Sequence, residues 1–322
     1  MRVGICGAGF VAQAHAHSYA AQPDVEIAVI VDPRLEHAEC LATRYGAAVS
    51  PEFAALLAPD VDAVSICTPT PTHAALAIAA MRAGKHVLCE KPIARTVPEA
   101  EAMLTVAGET GVVFTVGHVA RFEDDHRKAQ EIVARGDLGQ LRMASQSITG
   151  PFPDWSAHGW FADAAQSGGP VLDLAIHSFD YLLWLFQDRV VRVSAVGVRE
   201  KIAVDGYALV SLRFENGGIG LVEVSWLHPR GQGLLVRNEL VGTEGRLCWD
   251  YDGIAALQVV KDDGRHNHTM VPGGWNVQTA GFLRSIREGT APLVTGHEAL
   301  DALRVALAAL ESLEWGRAVS LV

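Results

Sequence analysis

Apolar positions along the chain fall into two patterns. Through the first 120 residues, short β-branched runs at 2–6, 27–31, 63–67, 86–89 and 112–116 alternate with longer Ala- and Leu-rich stretches such as 74–83 and 98–109. Runs this short, apolar throughout, read as strands buried on both faces, and the stretches between them as helices. The repeated order strand–helix–strand predicts an α/β domain on a parallel sheet, covering residues 1–120.

After Arg121 the pattern changes. A helix is expected over 124–135 and a strand over 141–148, then a loop rich in Pro, Gly and Trp and an apolar helix over 171–186. Alternating strands run from there to about residue 260. The runs 207–214 and 219–227 flank Glu215-Asn216-Gly217-Gly218, a good hairpin turn because Asn and Gly tolerate positive φ. A helix over 299–315, apolar on one face, closes the chain. Residues 121–322 are therefore expected to form an α+β domain with a mostly antiparallel, open sheet. Few helices are available to cover that sheet, so its free face is expected to join copies of the chain as a homodimer or homotetramer. The sequence contains no internal repeat and no low-complexity segment.

A length of 322 residues suits two cores better than one. The formal charge of −11, from 37 acidic and 26 basic side chains, argues against a nucleic-acid or anionic-membrane surface. Cys6, Cys40, Cys67, Cys89 and Cys248 form no CxxC pair and no metal-ligand spacing. An odd set of thiols without a framework fits a reducing cytoplasm, and no metal is expected. No run approaches the roughly 18 apolar residues that cross a bilayer. The apolar start is expected to be the first strand and its turn rather than a signal peptide, since its centre is Gly-rich and His15 and His17 interrupt it.

The first strand leads into Gly7-Ala8-Gly9-Phe10-Val11-Ala12, which matches G-x-G-x-x-A at the opening of a helix. Gly7 permits the tight turn, Gly9 lets the backbone approach a pyrophosphate, and Ala12 lets the helix pack against the strand. The start of that helix, at Phe10 and Val11, then offers the phosphates its partial positive charge. About twenty residues further on, Asp32 ends the second strand, where a carboxylate accepts from both ribose hydroxyls and repels a 2′-phosphate. NAD is the expected cofactor, and Arg34, two residues later, leaves NADP possible. Thr68-Pro69-Thr70-Pro71-Thr72-His73 follows another strand and is expected to border the cofactor, although a capped Pro-rich loop explains the same letters.

Cys89-Glu90-Lys91-Pro92 lies at a further strand end, which places Lys91 for proton handling or for polarising a carbonyl. In Ser167-Gly168-Gly169-Pro170-Val171-Leu172-Asp173-Leu174-Ala175-Ile176-His177-Ser178-Phe179-Asp180, the residues Asp173, His177 and Asp180 stand at i, i+4 and i+7 of one apolar helix. Ionisable groups on a buried helix are costly unless they pair or line a cleft. A catalytic role is expected for Asp173 and His177, because histidine titrates in the range needed to take an alcohol's proton. Asp180 reads equally well as part of an internal network.

Taken together, the glycine turn, the Glu-Lys-Pro after a strand and the Gly-Gly-x-x-x-Asp-x-x-x-His helix resemble the glucose–fructose oxidoreductase, inositol dehydrogenase and rhizopine-catabolism family (Gfo/Idh/MocA). The likeness extends through Gly242-Thr243-Glu244-Gly245 to Phe282-Leu283-Arg284-Ser285-Ile286-Arg287-Glu288-Gly289. It implies an N-terminal Rossmann domain, a C-terminal domain that oligomerises through its sheet, and hydride transfer between NAD(P) and a sugar, polyol or related hydroxyl compound. By the match, Lys91, Asp173 and His177 fall on catalytic positions. Gly7, Gly9, Asp32, Thr68, Pro69, His73 and Glu90 fall on or near cofactor positions. Arg121, following Gly117-His118, falls near the active site, so His118, Arg121 and Trp160 are candidate substrate contacts. Trp155, Trp226, His228 and Trp275 are further aromatic candidates, or core. Pro170 replaces a glycine frequent in the family, which suits a first helical turn. Phe161 stands where the family often has Arg, which removes a partner for polar substrate groups. Two other classes remain: a glycoside hydrolase or lyase that keeps its NAD and oxidises the sugar transiently, and a non-catalytic NAD(P)-sensing module.

Overall fold

The computed structural model describes residues 1–154, 157–198, 206–250, 256–261, 264–269 and 273–321. Trp155 lies outside them.

One unit is organised on a parallel sheet. Its elements are β1 (Arg2–Cys6), α1 (Phe10–Ala20), β2 (Glu26–Val31), α2 (Leu35–Tyr45), β3 (Ala48–Ser50) and β4 (Ala63–Ile66), then α3 (His73–Arg82), β5 (His86–Cys89), α4 (Val97–Thr110) and β6 (Phe114–Val116). The strands lie in the order β3-β2-β1-β4-β5-β6, every described pair parallel. Val3, Ile5, Ile30, Val64, Ile66, Val87 and Leu88 are buried along the centre of the sheet, as strands covered on both faces require. Local chemistry sets the helix ends. Thr96 caps α4 in a reciprocal capping box with Glu99, which satisfies amides the helix start leaves open. The strand order reverses between β1 and β4, and in open α/β sheets ligands lie beyond the strand ends at such a switch.

The second unit carries α5 (Asp124–Ala134), β7 (Leu141–Thr149), α6 (Ala164–Ser167), α7 (Gly169–Asp173), α8 (Ala175–Phe186) and β8 (Val190–Val198). It continues with β9 (Tyr207–Phe214), β10 (Ile219–Ser225), β11 (Leu235–Gly242), β12 (Arg246–Asp250), β13 (Ala256–Lys261) and β14 (Gly264–Thr269). After α9 (Gly274–Glu288) and α10 (Gly296–Trp315), β15 (Val319–Ser320) pairs with β8 and completes a nine-stranded sheet. Within this sheet only β7 and β10 pair in parallel among the described strands. The expected hairpin is present as β9–β10, with Gly217 at φ +91° in its turn. On the inner face Val210, Leu212, Phe214, Val222 and Val224 are buried beneath α7 and α8. At Gly220 a Cβ would stand 2.7 Å from Leu182, so α8 lies against bare backbone there.

Two expectations are corrected. A single boundary at 120 does not describe the chain: Gly273–Leu300 belongs with Met1–Val119, and Ala120–Trp155, Gly159–Pro272 and Asp301–Val322 make up the other unit. The cause is packing, since α9 lies against α1, Phe282 and Leu283 enter the core with Tyr19 and Ala16, and the Thr115 hydroxyl donates to the Val294 carbonyl at 2.7 Å. The helix expected over 171–186 is divided at Leu174, where the His177 amide bonds to the Leu174 carbonyl three residues back, at 3.1 Å. That tightened turn ends one helix at Asp173 and begins the next at Ala175.

Candidate active site

In the first unit, the candidate cofactor residues collect at the carboxyl ends of the parallel strands. Gly7 has φ +93°, and a Cβ on it would stand 2.6 Å from the Cys67 carbonyl oxygen, so this turn admits glycine alone. Gly9 has open space where a side chain would be, which leaves the turn's outer face clear. Phe10 is exposed, Val11 half-buried and Ala12 buried as α1 begins. The Ala8 amide donates to Asp32 Oδ2 at 3.0 Å and the Arg34 amide to Oδ1 at 2.9 Å, fastening the glycine turn to the end of β2. Arg34 Nε lies 3.7 Å from the same carboxylate. Thr68 and Pro69 sit in a turn that the Thr72 hydroxyl closes by donating to the Pro69 carbonyl at 2.8 Å.

His73 is not presented to a ligand. Its ring is fully buried, with Nδ1 2.8 Å from the Pro92 carbonyl oxygen and Nε2 2.8 Å from that of Thr68. It therefore ties the two strand-end turns together from behind. Burial pushes the imidazole below its ordinary 6.5, against the pull of both carbonyls. Glu90 is buried and Lys91 half-buried. His118, fully buried, follows Gly117 at the end of β6.

The second unit holds the Asp–His segment. Gly168 and Gly169, at φ +68° and +66°, turn the chain into α7. Asp173 and His177 are half-buried, whereas Val171, Leu172, Ala175 and Ile176 around them are buried. Asp180 differs from both. It is completely buried and takes two charge-assisted bonds from Arg121, Nε at 2.8 Å and Nη2 at 2.7 Å. Arg121 also stands 5.5 Å from the Trp184 ring centre. Arg121 and Asp180 thus form a fully buried, bidentate pair, the internal network that the sequence left open for Asp180. Trp160 stacks on Phe161 at 4.1 Å, and Phe161 and Trp226 form a buried aromatic cluster that Phe152 and Leu174 flank. Trp226 is thus core, and Phe161 occupies an apolar position in which an arginine would be costly.

Sequence reasoning missed the groups behind Glu90, namely His15, Tyr19 and Ser65, all fully buried and joined by hydrogen bonds. Their signal was present: His15 and Tyr19 are polar residues four apart on a helix whose other inward positions are the small Ala12, Ala16 and Ser18, and Ser65 interrupts an apolar strand.

The turn, the helix start and the Asp32 carboxylate beside the β1/β4 switch fit a dinucleotide: an open face at Gly9 for the pyrophosphate and an acid for the ribose. Among the described residues no cluster of His, Cys, Asp and Glu could hold a metal ion. The class defined is an oxidoreductase that uses a nicotinamide dinucleotide. Residues 1–118 match the model of the Gfo/Idh/MocA oxidoreductase family, NAD-binding Rossmann fold, and residues 126–248 match the Gfo/Idh/MocA C-terminal domain. The chain belongs to this family, and its cofactor is NAD. It is 28% identical to the myo-inositol 2-dehydrogenase of Thermotoga maritima, over 100% of this chain and 98% of the relative. It is 30% identical to the 4-carboxy-2-hydroxymuconate-6-semialdehyde dehydrogenase of a Sphingobium species, over 95% and 96%. Levoglucosan dehydrogenase in complex with NADH superposes with a TM-score of 0.90 at 25% identity, over 100% of this chain and 99% of that one.

Proposed function

We propose that the protein oxidises a hydroxyl group of a sugar or an inositol-like polyol, and reduces the corresponding carbonyl in the reverse direction, with Lys91, Asp173 and His177 as its catalytic residues. The observation that carries this reading is the contrast within one segment: Asp180 is completely buried in a pair with Arg121, while Asp173 and His177 are only half-buried. The relatives named for inositol and levoglucosan support the substrate class.

When bound, NAD supplies the hydride acceptor. His177 takes the hydroxyl proton as general base, and Asp173 supports the charge that develops on the imidazole. Lys91 donates a hydrogen bond to the oxygen on which negative charge grows, and in the reverse direction His177 returns the proton it took. The exposed apolar residues Val196, Leu209 and Leu221 on the sheet's outer face support association between copies. Five free thiols suit a reducing, cytoplasmic setting.

The test is Lys91→Ala. NAD affinity, read by quenching of tryptophan fluorescence, is expected to stay within about threefold, while kcat falls by on the order of a hundredfold or more. Unchanged turnover removes Lys91 from the mechanism.

A further inference from the structure

Behind the Lys91 turn lies a chain of buried polar groups that the proposed chemistry does not use. Tyr19 Oη stands 2.8 Å from Ser65 Oγ, Ser65 Oγ 3.1 Å from His15 Nδ1, and His15 Nε2 3.0 Å from Glu90 Oε1. On the other side of that carboxylate, the Lys91 backbone N–H donates to Oε2 at 3.2 Å. Tyr19, Ser65 and His15 are 0% exposed and Glu90 is 4% exposed.

The donors can be assigned from the carboxylate end. An ionised Glu90 only accepts, so His15 Nε2 carries its proton toward Glu90. A neutral imidazole then has a lone pair at Nδ1, which takes the Ser65 hydroxyl, and Ser65 Oγ in turn accepts from Tyr19. Each donor is spent once and all point toward Glu90, so the bonds polarise one another. Burial raises the Tyr19 phenol, which keeps it a donor. Burial raises the thiols of Cys67 and Cys89, and the neighbouring Glu90 charge raises them further. A Cβ on Gly117 would stand 2.4 Å from Glu90 Oε1, so the carboxylate is pressed against bare backbone and has little room to move. Trp275 closes the other side, its ring centre 5.4 Å from that of His15.

We propose that His15 is a positioning residue: as the neutral Nε2–H tautomer, aligned by Ser65 and Tyr19, it locks the Glu90 carboxylate onto the Lys91 amide and so fixes the strand end that presents Lys91. Its kinetic consequence rests on the role proposed for Lys91, whereas its geometry does not.

Two substitutions separate positioning from bulk. The amide nitrogen of His15→Gln reaches the place of Nε2, whereas His15→Asn reaches only that of Nδ1. In 15N-histidine-labelled protein, His15 is expected as the neutral Nε2–H form. The Lys91 amide resonance is expected to shift in His15→Asn and to return toward its original position in His15→Gln. With a turned-over sugar or polyol, His15→Asn lowers kcat by on the order of tenfold, with NAD affinity within about threefold, and His15→Gln recovers most of the loss. Ser65→Ala, one step back in the chain, gives a smaller loss of the same kind and serves if His15→Asn does not fold. An Nδ1–H or doubly protonated His15, or Gln and Asn variants that shift Lys91 alike, overturns the proposal. If the wild type turns over no sugar or polyol, the substrate reading fails, and the two resonance measurements still decide the role of His15.

Discussion

Cys6 and Cys89, both buried, end β1 and β5, and the half-buried Cys67 follows β4, each beside an acidic group. Burial, with Asp32 nearby, raises the Cys6 thiol to about 12. At pH 8 its thiolate fraction is roughly one in ten thousand, and the thiolate is the reactive form. Cys40 is exposed on α2, so a thiol reagent at pH 8 is expected to modify Cys40 first and to reach the buried Cys6 and Cys89 only on unfolding. Mass mapping of the modified peptides checks this. His73 gives a pH signature. Its folded value lies below the ordinary 6.5, so the unfolded chain binds the proton more readily, and stability is complete above 6.5 and falls as the pH drops below it. Melting temperature against pH should show this fall in the wild type and a flatter line in His73→Gln. Lys91, Asp173 and His177 stand out in the sequence because a lone ionisable residue at a strand end or on an apolar helix has few structural explanations, and their catalytic role is the proposal that Lys91→Ala tests. The internal partners of Arg121 and His73 were not legible, because a residue's type does not say which distant neighbour the fold brings to it.

At the scale of elements, the buried Arg121–Asp180 pair joins the chain ahead of α5 to α8. Removing one partner leaves a buried charge, so Arg121→Met should cost about 3–5 kcal/mol in urea unfolding. Replacing both at once, Arg121→Met with Asp180→Leu, should recover most of that loss. At Gly220 the added methyl of Gly220→Ala must displace Leu182, at a cost of about 1–3 kcal/mol by the same measurement. The strands β1, β4 and β5 were readable from apolar runs bounded by turns. The three residues of β3 were not, because Ala48–Ser50 is too short to show a period and gains its place from pairing with β2. Nor was the division at Leu174 readable, since it is a shift from one hydrogen-bond partner to the next within an unbroken apolar run.

For the whole molecule, the return of Gly273–Leu300 to the first unit was the feature least visible in the sequence. Its apolar face marks α9 as packed but carries no record of which sheet it packs near. The outer face of the second sheet was legible, because alternation leaves Val196, Leu209, Ile219 and Leu221 on the side away from α8. Sedimentation of the wild type should show an oligomer, and Leu209→Glu with Leu221→Lys should shift it toward monomer; a monomeric wild type contradicts that assembly. Hydride transfer between NAD and a carbinol is the central claim. Its most direct test is incubation with NAD and a panel of inositols, pyranoses and anhydrosugars while nicotinamide absorbance is followed. NADH formed in equal amount to ketone product is the expected result. Substrate consumed without net NADH, or no oxidation of any sugar or polyol in the panel, would contradict it.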